Sequence, residues 1–146
     1  MKREYPNSPL VGVGAVVVHD DRVLLIKRGR SPMQGEWSIP GGKLELGETL
    51  RHAVRREVQE ETNLQIEAGD LLGVFDRITA DPSGEIAYHY VLVDFLCRVN
   101  AGALQAGSDA EAARWFTGEE ISALQLPEDT LAVIRAGLDR VRKPSH

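Results

Sequence analysis

With 146 residues, of which 42% are hydrophobic, 27% charged and 5% aromatic, the chain has apolar material for one ordinary core and needs no disulfide staples to fold. Its formal net charge of −5 disfavours a broad electrostatic grip on nucleic acid or an anionic membrane, and its single cysteine excludes an internal disulfide framework or a cysteine-rich zinc site. The opening residues lack a signal peptide's apolar centre and cleavage site, and no run approaches the ~18 apolar residues of a membrane span, so one cytoplasmic domain over residues 1–146 is expected.

Residues 11–18 are rich in β-branched side chains and are followed by the turn-like HDDR and then VLLIK, which predicts a hairpin. Gly12 and Gly14 lack the third glycine and the following helix of a dinucleotide-binding loop, so that motif is rejected. The stretch RGRSPMQGEWSIPGG over 28–42 predicts an irregular loop, a brief strand and a second loop, a combination suited to shaping a pocket. Thr49 then caps a helix over about 49–62, and Asn63 falls where a left-handed residue closes it.

Strands are expected near 65–78 and 86–99, separated by ADPSGE, with a short strand ARWFT after a glycine-rich loop. His89 and Cys97 are read as core residues, and Asp94 as a paired structural carboxylate within its apolar strand. From Gly118 the chain is helical again, with Leu126 and Pro127 separating a short piece from a longer one beginning around Glu128. Leu131, Ile134, Leu138 and Val141 give the second piece an apolar face that covers a sheet.

The most informative segment is REVQEE, which sets Glu57, Glu60 and Glu61 at i, i+3 and i+4 on one helical face. Three acids in one turn are ordinarily a solvated surface. Here, advancing ~100° per residue, Leu50, Ala53 and Val54 occupy the same sector, while Arg51, His52, Arg55 and Gln59 lie largely opposite. The acids therefore continue the inward stripe, where a divalent cation is needed to neutralise them. Oxygen-only ligands favour Mg²⁺, with Mn²⁺ as a substitute; His19, His52, His89 and His146 show no paired spacing for zinc.

The run GGKLELGETLRHAVRREVQEETNL resembles the signature of Nudix hydrolases, departing only at Asn63, where glycine is usual. The flanking VGVGAVVV, VLLIKRG and YHYVLVDFLCRV extend the likeness toward the ADP-ribose pyrophosphatase-like branch. The resemblance implies an α/β/α sandwich with a mixed β-sheet. It also implies that Glu57, Glu60 and Glu61 bind metal together with the Gly41 carbonyl, that Arg56 and Glu48 orient the acidic turn, and that Lys43 contacts phosphate.

Later loops often add a base or ligand in this family, and Asp109, ahead of Glu111, is the favoured residue here. Trp37, Tyr88 and Tyr90 offer faces for base stacking, while Arg28, Arg30 and Arg77 offer charge for phosphate or ribose. The implied activity is metal-assisted hydrolysis of a small nucleoside diphosphate derivative, ADP-ribose foremost, to AMP and ribose 5-phosphate. Two alternatives are a Nudix activity on damaged nucleoside triphosphates and a non-catalytic sensor of nucleotide metabolites. Relatives in this branch often form homodimers, so the resemblance leaves a homodimer open, although no residue marks an interface here.

Overall fold

In the strand β1 (Leu10–His19), residues 15–18 are all buried, the pattern of a strand covered on both faces. This is the centre of the computed structural model, which describes residues 3–29, 34–107 and 109–142. Side chains alternate across β1: Val13, Ala15 and Val17 enter one apolar cluster, Val16 and Val18 the other. On the first face lies α1 (Leu50–Thr62), contributing Ala53, Val54 and Val58; on the second lie α2 (Gly118–Ser122) and α3 (Glu128–Arg142), contributing Ile121, Val133, Ile134 and Leu138. The result is the expected α/β/α sandwich.

Asp20 and Asp21 both have positive φ, 51° and 61°, which makes the turn between β1 and β2 (Arg22–Arg28) type I′. The predicted hairpin exists, but β1 and β2 pair only at its tip, Val18↔Val23 and His19↔Arg22. Beyond that the strands part. β1 runs parallel to β6 (Ile86–Ala101) from Leu10↔Tyr90 to Val17↔Cys97, while β2 pairs antiparallel with β3 (Trp37–Ser38) and β7 (Ala110–Phe116). The sheet is completed by β5 (Gln65–Ala80), antiparallel to β6.

The double glycine expected in a loop instead opens a short strand, β4 (Gly41–Lys43), antiparallel to β1 through Gly14↔Gly41, Val13↔Gly42 and Gly12↔Lys43. Glycine facing glycine lets the two backbones carry side chains from other elements across them. At the far end of the molecule, Val133 and Gly137 complete the buried face of α3, whereas Val141, one residue from the end of the helix, is exposed. His89 is half-buried instead of fully internal, and Cys97 is buried, its thiol pushed up to about 12 by desolvation. Among the described residues no helix is long and apolar enough to cross a membrane.

The ends of α1 decide where its acids point. Thr49 Oγ1 accepts the His52 N–H at 3.2 Å, and Asn63 stops the helix with φ 63° and ψ 14°, its Nδ2 donating to the Ala103 carbonyl at 3.0 Å. Alanine at position 63 would have to enter the left-handed region without that bond. Asn63→Ala is expected to cost about 1–2 kcal/mol in urea unfolding, and Asn63→Gly to stay within about 0.5 kcal/mol of the wild type.

Candidate active site

Burial along α1 follows the predicted stripe, but the three acids enter it to different depths. Glu61 is 7% exposed, the Glu57 side chain 14%, and the Glu60 side chain 56%, at the rim. Arg51, His52, Arg55 and Gln59 are on the exposed face, as the helical periodicity requires.

Glu48 and Arg56 form a forked ion pair: Arg56 Nε donates to Glu48 Oε2 at 2.7 Å and Nη2 to Oε1 at 2.9 Å. The guanidinium holds the Glu48 carboxyl down at about 2, well below its ordinary range. The remaining donors of Arg56 reach the Lys43 carbonyl at 3.1 Å, Glu57 Oε1 at 2.9 Å and Glu60 Oε2 at 3.4 Å. One guanidinium thus links the loop before α1, β4 and two acids of the turn.

Glu61 has a different environment. Its Oε1 accepts the Gly41 N–H at 2.8 Å, but burial dominates and lifts its carboxyl to about 8. Glu57 and Asp109 push in the same direction, and Arg28 opposes them. Beside it, the Glu57 carboxyl lies across bare backbone: a Cβ on Gly42 would fall 2.4 Å from Glu57 Cδ. The glycine after Gly41 is therefore a cradle for a carboxylate.

These groups line a cleft of about 400 Å³, open where β1 and β2 diverge. The cleft brings together Gly41, Lys43, Arg56, Glu57, Glu60, Glu61, Arg28, Arg77, Tyr90, Asp94 and Asp109 from the sequence reading. Asp109 is exposed at its wall, where its carbonyl accepts the Gly29 N–H at 3.1 Å. Glu48 stands behind the lining and reaches it through Arg56 and through the Glu45 N–H, which donates to Glu48 Oε1 at 3.1 Å.

Several expected residues lie elsewhere. Trp37 packs edge-on against Phe116 at 4.9 Å and under the Arg114 guanidinium at 5.5 Å, so its ring serves the core on the α3 side instead of facing a base. The Tyr88 hydroxyl donates to Glu4 at 3.2 Å, outside the cleft lining. Glu111 is exposed on β7, 4.0 Å from Lys27. Arg77 lines the cleft but is ion-paired with Asp129. Arg30 falls outside the described residues.

Asp94 is buried as expected yet receives no hydrogen bond from any described residue, because its strand neighbours are apolar and Arg77 is turned to Asp129. Arg3, Ser38, Phe75, Asp129 and Thr130 also line the cleft and were missed. Only Asp129 carried a readable signal, as an acid in the first turn of a helix.

Among the described residues no three carboxylate, imidazole or thiol side chains stand close enough to enclose an ion. The convergence expected from the spacing is thus not drawn tight: Arg56 takes Glu57 and Glu60 to itself, while Glu61 turns to Gly41. The donors still fit a hard divalent cation in kind. All are oxygens, and a buried carboxylate holding its proton to about pH 8 marks a place where positive charge is wanted.

A model of the NUDIX domain matches residues 8–136. The ADP-ribose pyrophosphatase of Methanocaldococcus jannaschii is 41% identical over 108 residues, which are 74% of this chain and 62% of that protein, less than two thirds of its length. Among solved structures, a MutT NUDIX hydrolase from Burkholderia pseudomallei superposes with a TM-score of 0.75 at 35% identity, covering 89% of this chain and 98% of that one. The NUDIX domain of Shewanella oneidensis NrtR, complexed with ADP ribose, superposes with a TM-score of 0.73 at 25% identity, covering 92% of this chain and 90% of that one.

Glu61 binds its proton more tightly in the folded chain, at about 8, than at its ordinary 4.5, so its contribution to stability is complete below pH 4.5 and is lost as pH rises through 8. In chelator, Glu61→Gln is expected to flatten this dependence and to exceed wild-type stability by on the order of a few kcal/mol at pH ~9. Urea unfolding of both proteins across that range checks it; parallel curves would refute the assignment.

Proposed function

The chain belongs to the Nudix family, and on that premise we propose that it is a hydrolase that cleaves the diphosphate linkage of a nucleoside diphosphate derivative, ADP-ribose foremost. The observation that carries this reading is the acidic turn of α1 set against a cleft, with Glu61 buried beside the double glycine. The name of the archaeal relative and the ligand of the NrtR domain support the choice of ADP-ribose.

In this reading Mg²⁺, or Mn²⁺ in its place, would be held by Glu57, Glu60 and Glu61 with the Gly41 carbonyl. When bound, such a cation supplies positive charge against the diphosphate and acidifies water. Lys43 and Arg28, both at the cleft wall, meet phosphate oxygens. Arg56 positions the acids, and Glu48 fixes Arg56.

Asp109 accepts the proton of the attacking water as the water oxygen bonds to phosphorus and the P–O bond of the diphosphate bridge breaks. The products are AMP and ribose 5-phosphate. No side chain becomes covalently attached to substrate.

A hydrolysis screen over ADP-ribose, other nucleotide sugars, dinucleotides and nucleoside triphosphates, with products identified, tests the reading. ADP-ribose turnover is expected in Mg²⁺ and is expected to vanish in chelator. Glu60→Gln and Glu61→Gln should each lose at least ~100-fold in kcat while remaining folded. Pyrophosphate release from a triphosphate would identify the triphosphate activity instead, and ADP-ribose binding without turnover would identify a sensor.

A further inference from the structure

The acidic turn leaves one part of the cleft lining unexplained. Asp94 is 6% exposed, lines the cleft and has no hydrogen-bond donor among the described residues. Its oxygens keep access to the cleft, whereas the Ser38 hydroxyl, in the same lining, is fully buried without a partner among the described residues. A carboxyl so withdrawn from water and left without a protein donor is poorly satisfied until a ligand supplies one.

The fold makes room for this one. Asp94 is the register partner of Gly14, and a Cβ on Gly14 would fall 2.2 Å from Asp94 Oδ1 and 2.8 Å from Ile39 Cδ1. The glycines that resembled part of a nucleotide loop thus serve as a floor: Gly14 lies beneath Asp94, and Gly12 beneath Leu92. Arg77, the cation nearest in effect, is committed to Asp129. Ile39 meets the same point above Gly14, and Phe75, Tyr90 and Leu92 give the same cleft aromatic and aliphatic walls.

We infer that Asp94 is a specificity residue, its carboxyl accepting a hydrogen bond from the exocyclic amine of a purine base seated between these walls. A phosphate would be repelled there, and a flat base suits the walls better than a ribose does. Burial lifts the Asp94 carboxyl to about 6, so near neutral pH it is largely an ionised acceptor lacking a donor. A site built to bond a ligand N–H rejects the analogue without it, because the carboxyl is then left unpaired. The assignment rests on the nucleoside-derivative reading of the cleft and adds which edge of the base is recognised.

Calorimetric binding of two nucleotide pairs tests it: AMP against purine riboside 5′-monophosphate, which lacks only the 6-amino group, and GMP against IMP, which lacks the 2-amino group. The wild type is expected to prefer the amine-bearing member of at least one pair by about tenfold or more. Asp94→Ala and Asp94→Leu, neither of which can accept a hydrogen bond, should each compress that preference to within about threefold. In the wild type, the carboxyl ¹³C resonance of Asp94 should move with the preferred nucleotide and stay in place with its partner, a readout that needs no folded variant.

An absent preference in both pairs, or a preference that survives both substitutions, would overturn the inference. An equal loss within each pair, accompanied by lost discrimination between AMP and 2′-deoxyAMP, would place a ribose hydroxyl at Asp94 and overturn it as well. Monophosphate binding requires no turnover. A protein that hydrolyses ADP-ribose without amine preference refutes this inference alone, and the converse result refutes hydrolysis alone.

Discussion

Glu61 is a carboxylate withdrawn from water and given one backbone N–H in exchange, and much of the site is arranged around that contact. The Gly41 amide reaches it because β4 is laid along β1 through facing glycines. The same approach lets Glu57 lie over Gly42. The result is a pair of acids in an environment that disfavours their charge, with Glu57 and Glu61 both raised by desolvation. A cation placed there would offset that cost.

Arg56 supplies the opposing term. It satisfies Glu48 with a forked pair and extends its remaining donors to β4 and to two acids of the turn. Because Glu48 precedes the helix and Glu57 lies within it, the pair also ties the acidic turn to the loop before α1. Arg56 is half-buried, so its carboxylate partners are only partly screened by water and their geometry is held.

The cleft has a second population of residues with a different logic. Near the acidic turn the groups are charged and coupled to one another, Glu61 responding to Glu57, Arg28 and Asp109. Near Asp94 the walls are apolar and the charges that matter are Arg77 and Asp129, already joined. A diphosphate suits the first environment and a base the second, which is the division expected of a site for a nucleoside diphosphate derivative.

What the sequence determined by itself was local and periodic. The helix limits followed from Thr49 and Asn63, the inward setting of Glu57 and Glu61 from helical spacing, and the two-faced β1 from its β-branched run, because each depends on residues within a turn or two. The tertiary structure alone decided which of two chemically equal residues faces the cleft. Trp37 and Tyr90 read alike in a list of aromatics, yet one packs on Phe116 and the other lines the site. Arg77 is claimed by Asp129, 52 positions away, and Asp94 is left without a donor. Those outcomes turn on the parting of β1 from β2 and on the parallel register that sets Asp94 over Gly14, pairings between distant segments that no local pattern encodes.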